Sequence, residues 1–215
     1  MKLKFRKKFR QISIDKNSRV FRTFPILVHF NAPNLITTMG FVFGIFACYF
    51  LTMRDLRMAV ICLFFAGVMD LIDGFVAVKL NQQTQFGKHV DTLVDFFCCI
   101  IVPVWMVFDL LGSGAYIVAP LIFFCTCGLW RLANYNITEP SKSFTGLPVP
   151  GSMFLVVVAI WCVEMYNIHI ALASAAFVIV GLLMISGIKL PKYGPWQFIM
   201  GFTALAFLVL VIFHP

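Results

Sequence analysis

The stretch VMDLIDGFVAVKLNQQTQFGKHVDTLVDFF, residues 68–97, sets Asp70, Asp73, Asp91 and Asp95 into surroundings that otherwise read as membrane helix. The chain has only nine acidic residues, so nearly half of its negative charge is gathered here. An ionised side chain in a span costs at least ~2.5 kcal/mol on insertion scales, so such groups face one another or an aqueous cavity. Asp70 and Asp73 are three residues apart, and Asp91 and Asp95 four apart, which places each pair on one side of its own helix. Four carboxylates at close range require cations, and hard oxygen donors suit Mg2+, Mn2+ or Ca2+ better than zinc or copper. The set is large enough for two ions about 3.5–4 Å apart, an arrangement that clamps a phosphate during in-line displacement. Phosphoryl chemistry is therefore the leading expectation. Gly74, directly after Asp73, leaves the helix surface bare beside the carboxylates. That bareness serves either the approach of a nucleotide or phosphate, or helix packing, which often uses small residues in membranes.

The elements that must hold these residues are helices in a bilayer. At 61% hydrophobic and 12% charged over 215 residues, with a mean hydropathy of +0.94, the chain reads as an all-α integral membrane protein. Apolar runs long enough to span lie near 34–53, 57–80, 89–110, 115–136, 149–166, 168–188 and 196–214. The last run stands apart behind KLPKYGPW (189–196). No recurrent alternation of about ten residues points to a barrel. The polar segment NQQTQFGK (81–88) is short, so the second and third spans form an antiparallel pair. Asp70 then lies about 15 Å from the end of its helix, and Asp91 and Asp95 within two turns of the start of theirs. All four converge near one interface.

Charge placement predicts which interface that is. Nine of the 17 basic residues fall in the first 22 positions, so the N-terminus is expected in the cytoplasm. Lys79, Lys88, Lys142, Lys189 and Lys192 then fall inside, while the loops at 111–115 and 164–168 carry no Lys or Arg. Arg54 and Arg57 are the exception. Seven spans put the C-terminus outside. Residues 1–30 read as a basic cytoplasmic segment, either an interfacial helix on anionic lipid or a topology signal, and 31–215 as one polytopic catalytic domain. No apolar core with a small-residue cleavage site precedes the first span, so a cleavable signal peptide is not expected. The net charge of +8 is assigned to the membrane surface and not to nucleic acid. The seven cysteines lie scattered in apolar runs without metal-ligand spacing and read as buried packing residues.

Residues 70–95 resemble the signature of the CDP-alcohol phosphotransferase family, D-x2-D-G-x2-A-R-x8-G-x3-D-x3-D. Asp70, Asp73, Gly74, Ala77, Gly87, Asp91 and Asp95 match in type and spacing, and Val78 replaces the arginine, with Lys79 following it. The resemblance implies a six-helix membrane core, here with an additional C-terminal helix, usually dimeric. It also implies two divalent cations, Mg2+ or Mn2+ with Ca2+ admissible, that serve to move a phosphoalcohol group from a CDP-linked donor to an alcohol. It implies Asp70, Asp73, Asp91 and Asp95 as metal ligands, Asp95 also as general base, and Gly74 and Ala77, with Gly87, along the nucleotide site. Lys79 or Lys88 would have to supply the cation missing at Val78. Lys79 stands about 100° around the helix from that position.

Further landmarks are similar to the phosphatidylserine synthase branch of the family. They are APNLITTMGFVFGIFA (32–47), with Asn34 and Thr37 expected at the donor site, RLANYN (131–136), FTGLPVPGS (144–152) and MISGIKLPK (184–192). This branch implies CDP-diacylglycerol and L-serine as substrates and phosphatidylserine and CMP as products. Arg131 is the only basic residue of the fourth span; it holds a serine carboxylate or a donor phosphate, or it snorkels to the headgroups. Asn134 and Thr145 join it as candidate substrate contacts, with Lys88. TGLPVPG (145–151) reads as either a lid or a rigid turn. Competing expectations are another acceptor (glycerol 3-phosphate, inositol phosphate or choline), a degenerate member lacking activity because of Val78, and a divalent-cation transporter. Clustering of the carboxylates near one face argues against transport.

Overall fold

The computed structural model describes residues 23–112, 114–138, 143–191 and 195–213. The chain divides between Phe30 and Asn31 into two units. Described residues of the first include a single 3-10 turn, Pro25–His29. The expected basic interfacial segment falls largely on residues 1–22, outside the described residues.

The second unit is a helical bundle of α1 (Ala32–Thr52), α2 (Leu56–Leu80), α3 (Gln85–Leu111), α4 (Ala115–Ile137), α5 (Val149–Tyr166), α6 (Ala171–Ile185) and α7 (Pro195–Phe213). Helices α1 to α5 are long and apolar enough to cross a membrane, and α6 and α7 are further apolar helices, so the chain is a multi-pass membrane protein. Each apolar run of the sequence corresponds to one helix. α1 packs along α2, and α6 against α4 and α5. The separated last run docks as well: Phe207 of α7 stands 5.8 Å from the ring of Phe154 and 6.0 Å from that of Trp161, both on α5.

The turns follow from local chemistry. Asn31 accepts a hydrogen bond from the Asn34 backbone N–H at 3.0 Å and starts α1, with Pro33 in the first turn where its missing N–H costs nothing. α2 ends at Asn81, whose left-handed φ of 54° lets the Gln82 N–H reach the Ala77 carbonyl at 2.9 Å. Thr84 then caps α3 by accepting from the Gly87 N–H at 3.0 Å. The polar run that reads as loop to residue 88 is therefore a turn of only a few residues, and Gly87 and Lys88 already belong to α3. At the opposite end of the bundle, Arg54, the exception to the charge rule, donates to the Asp109 carbonyl at 2.6 Å and lies 3.8 Å from its carboxylate.

Helix α3 is not uniform. Pro103 has no N–H for the Cys99 carbonyl, and its ring would collide with that carbonyl in a regular helix. The turn before it, Phe97–Ile101, widens to a π-turn in which the Val102 N–H bonds to Phe97. Glycines on two neighbours seat this swelling. A Cβ on Gly44 of α1 would stand 2.6 Å from Cys98 Sγ, and one on Gly128 of α4 would stand 2.5 Å from Ile100 Cδ1.

A two-stranded clip completes the unit: β1 (Ser143–Thr145) pairs antiparallel with β2 (Lys189–Pro191). Gly146 follows at φ 79°, donating its N–H to the Ile188 carbonyl at 2.7 Å, and a side chain there would strike the backbone of Met184. The clip explains why α6 is only 15 residues long where the sequence offers an apolar run over 168–188. The chain beyond Ile185 leaves the helix to pair with β1.

Overpacking the seat of the π-turn should destabilise the bundle by about 1–3 kcal/mol. Gly44→Val and Gly128→Val are expected to lower the unfolding temperature of the detergent-solubilised protein. Gly201→Ala, which meets nothing within 4 Å among the described residues, should not lower it. Three equal melting curves would contradict the seat.

Candidate active site

Helices α2 and α3 bring three of the four aspartates together. One carboxylate oxygen each from Asp70, Asp91 and Asp95 lies within 4.8 Å of the others. They line a recess of about 10 Å³ with Asp73, Thr37, Gly40, Gly67, Val94, Cys98, Cys99 and Pro150. A space of that size admits one water-sized body. Asp73 stands beside the trio, buried to 6% exposure, with the Thr37 hydroxyl of α1 donating to its Oδ2. Thr37 Oγ1 also lies 3.1 Å from the Pro33 carbonyl, so its one proton has two acceptors to choose from.

Asp73, Asp91 and Thr37 also border a second space, a polar cleft of about 720 Å³. The recess is therefore the inner end of a cleft large enough for a nucleotide headgroup. Asn34, Gly74, Ala77, Gly87, Lys88, Arg131, Asn134 and Thr145, all expected at the site from the sequence, line this cleft. Lys79 does not: its ammonium stands over the Phe75 ring, 5.5 Å from the centroid. One position around the helix is enough to turn it away. Val78 is 62% exposed and is likewise absent from the lining.

The two signature glycines differ in what surrounds them. A Cβ on Gly74 would meet nothing within 4 Å, so no packing among the described residues demands a glycine there. A Cβ on Gly87 would stand 2.7 Å from Asn34 Oδ1 and 3.2 Å from Thr84 Oγ1, so the first turns of α1 and α3 approach closely only because that position is bare.

Sequence reasoning missed part of the wall. Gln82 and Gln83 of the α2–α3 turn, Gln85 at the start of α3 and Tyr135 of α4 also line the cleft. Asn136 joins α4 to α3 by exchanging hydrogen bonds with Thr92 at 3.0–3.2 Å. Lys88 donates to the Asn136 carbonyl at 3.0 Å and lies 5.1 Å from the centroid of Tyr135, which engages its charge. The clue to this joint was the polar RLANYN at the end of an apolar span.

The donor set suits a divalent metal. Among the described residues no Lys or Arg forms an ion pair with any of the four aspartates, whereas Arg54 and Asp109 do pair. Three converging carboxylate oxygens without a basic partner would repel one another, and a hard cation relieves this. Asp70, Asp91 and Asp95 are the residues that would hold it, and the cleft beyond would receive the phosphates it neutralises.

Comparison with known proteins agrees with this chemistry. The model of the CDP-alcohol phosphatidyltransferase family matches residues 30–210. The CDP-diacylglycerol–serine O-phosphatidyltransferase of Methanocaldococcus jannaschii is 34% identical over 144 residues, covering 67% of this chain and 69% of that protein. Proteins of the same name from Bacillus subtilis and Helicobacter pylori strain 26695 are 30% and 28% identical. The first alignment covers 75% of this chain and 90% of the relative, the second 85% and 82%. With the signature aspartates gathered at the end of a polar cleft and the family matched over most of its length, the chain is an enzyme of the CDP-alcohol phosphatidyltransferase family.

Proposed function

We propose that this enzyme transfers the phosphatidyl group from CDP-diacylglycerol to L-serine, giving phosphatidylserine and CMP. The observation that carries the reaction type is the Asp70–Asp91–Asp95 cluster opening into the cleft bordered by Gly74 and Ala77. The choice of serine is supported by the names of the relatives from three organisms.

In this reading the CDP group lies along Gly74, Ala77 and Asn34, with its pyrophosphate toward the recess. Asp70, Asp91 and Asp95, with Asp73 bordering, would hold divalent cations, whose charge would offset that of the pyrophosphate and of the departing CMP. The serine hydroxyl oxygen attacks the phosphatidyl phosphorus, its bond to the CMP oxygen breaks, and the hydroxyl proton passes to Asp95. Thr37 fixes the orientation of Asp73. The excess of Lys and Arg in the first 22 positions of the sequence supports a cytoplasmic site, within reach of both the CDP-lipid headgroup and free serine.

The direct test incubates purified protein with CDP-diacylglycerol, Mg2+ or Mn2+ and L-serine, glycerol 3-phosphate, inositol phosphate or choline, and measures CMP. Serine-dependent CMP release is expected; turnover only with another acceptor would overturn the choice of serine. Asp95→Asn should lower kcat by about 10²–10⁴-fold, more than it weakens metal-dependent CDP-diacylglycerol binding, whereas Asp70→Asn should impair that binding as well. Near-wild-type turnover in both would reject these roles. Gly74→Val is expected to raise KM for the donor without lowering the unfolding temperature, because the position is bare for a ligand and not for packing. A drop in stability with unchanged KM would reverse that reading.

A further inference from the structure

Among the described residues, Lys88 and Arg131 are the two cations that line the cleft, and they are differently committed. Lys88 spends its ammonium on the Asn136 carbonyl and the Tyr135 ring. Arg131 is 8% exposed, and its one hydrogen bond among the described residues runs from Nε to the Leu147 carbonyl at 3.5 Å. The two terminal amino groups of its guanidinium make no hydrogen bond among the described residues, although the residue lines the cleft. Burying a cation without an anionic partner is costly, and a guanidinium presents a planar fork matched to a carboxylate. The position of the fork is fixed by the segment that holds it. Leu147 sits between Thr145, which borders the cleft, and Pro150, which borders the aspartate recess. Arg131 is thereby tied to a strap that runs from the cleft to the metal-binding end, whereas Gly74 and Ala77 of the nucleotide wall belong to α2.

Resting on the serine-transfer reading, we propose that Arg131 selects the acceptor by pairing with its α-carboxylate, the Leu147 carbonyl serving to aim the guanidinium. Among the described residues of the cleft, the one uncommitted cation balances one carboxylate charge. A phosphorylated acceptor, with about two negative charges, would be under-compensated. The cleft therefore favours an alcohol bearing a carboxylate over a phosphoalcohol and over a neutral or cationic amino alcohol.

The experiment uses the full-length protein in detergent with CDP-diacylglycerol and Mn2+, and compares L-serine with L-serinamide, which keeps the hydroxyl and the amine but lacks the carboxylate. Wild type is expected to prefer L-serine. Arg131→Met should raise KM for L-serine by about 10–100-fold, the loss expected of a charged hydrogen-bonded pair, with KM for CDP-diacylglycerol changed less than about twofold. The preference over L-serinamide should collapse, and Arg131→Lys should restore part of it. If KM for the donor rises instead while the preference persists, Arg131 serves the donor phosphate and the proposal is overturned. Should Arg131→Met not fold, the wild-type comparison decides: indifference to the carboxylate sinks the proposal. Absence of any turnover with L-serine sinks the serine-transfer reading itself, a separate outcome.

Discussion

Uncompensated negative charge inside an apolar bundle is the constraint around which this structure is arranged. Four carboxylates sit on two adjacent helices, and among the described residues no basic side chain pairs with them. A fold that merely wanted stability would have placed Lys or Arg opposite, as it does for Asp109 with Arg54. In the proposed function, the absence of such partners would keep the aspartates available for exchangeable cations and for the phosphates those cations bind. The cost is met geometrically: the recess lies at the end of a polar cleft, so the charges have access to water and ligand and are not sealed in lipid.

The same constraint reaches into the shape of α3. Asp91 and Asp95 must face Asp70 while the rest of that helix packs against α1, α4 and α5. The π-turn immediately after Asp95 changes the angular register of everything beyond it, which frees the first turns of α3 to serve the site and the later turns to serve packing. Pro103 provides the local cause and Gly44 and Gly128 the space. Neither glycine touches the aspartates, yet both decide where the end of the catalytic segment comes to rest.

Much of this was legible in sequence because membrane chemistry is unforgiving: seven apolar runs correspond to seven helices, and three of the four spaced aspartates converge, with Asp73 lining the same recess. What periodicity did not reveal were outcomes of single caps and single contacts. Thr84 converts a polar run from loop to helix, drawing Gly87 and Lys88 into α3. Thr37, 36 residues away in sequence, holds Asp73 beside the trio, and no spacing rule reports that. Lys79 reads as a substitute for the missing arginine only until its side-chain direction is known. The β-clip was invisible because three-residue strands carry too little pattern to be distinguished from a turn.

The shortness of α6 has a consequence for the lipid around it. Fifteen helical residues rise about 22 Å, against a hydrocarbon thickness of ~30 Å. A crossing by α6 would leave a deficit to be absorbed by thinning of the adjoining leaflet or by seating the clip below the level of the phosphates. Either adjustment brings headgroups and water to the depth of the strap that carries Leu147. For the proposed reaction, that depth would give a two-chained donor sliding in the plane of the bilayer and a small polar acceptor arriving from solution a common elevation at which to meet.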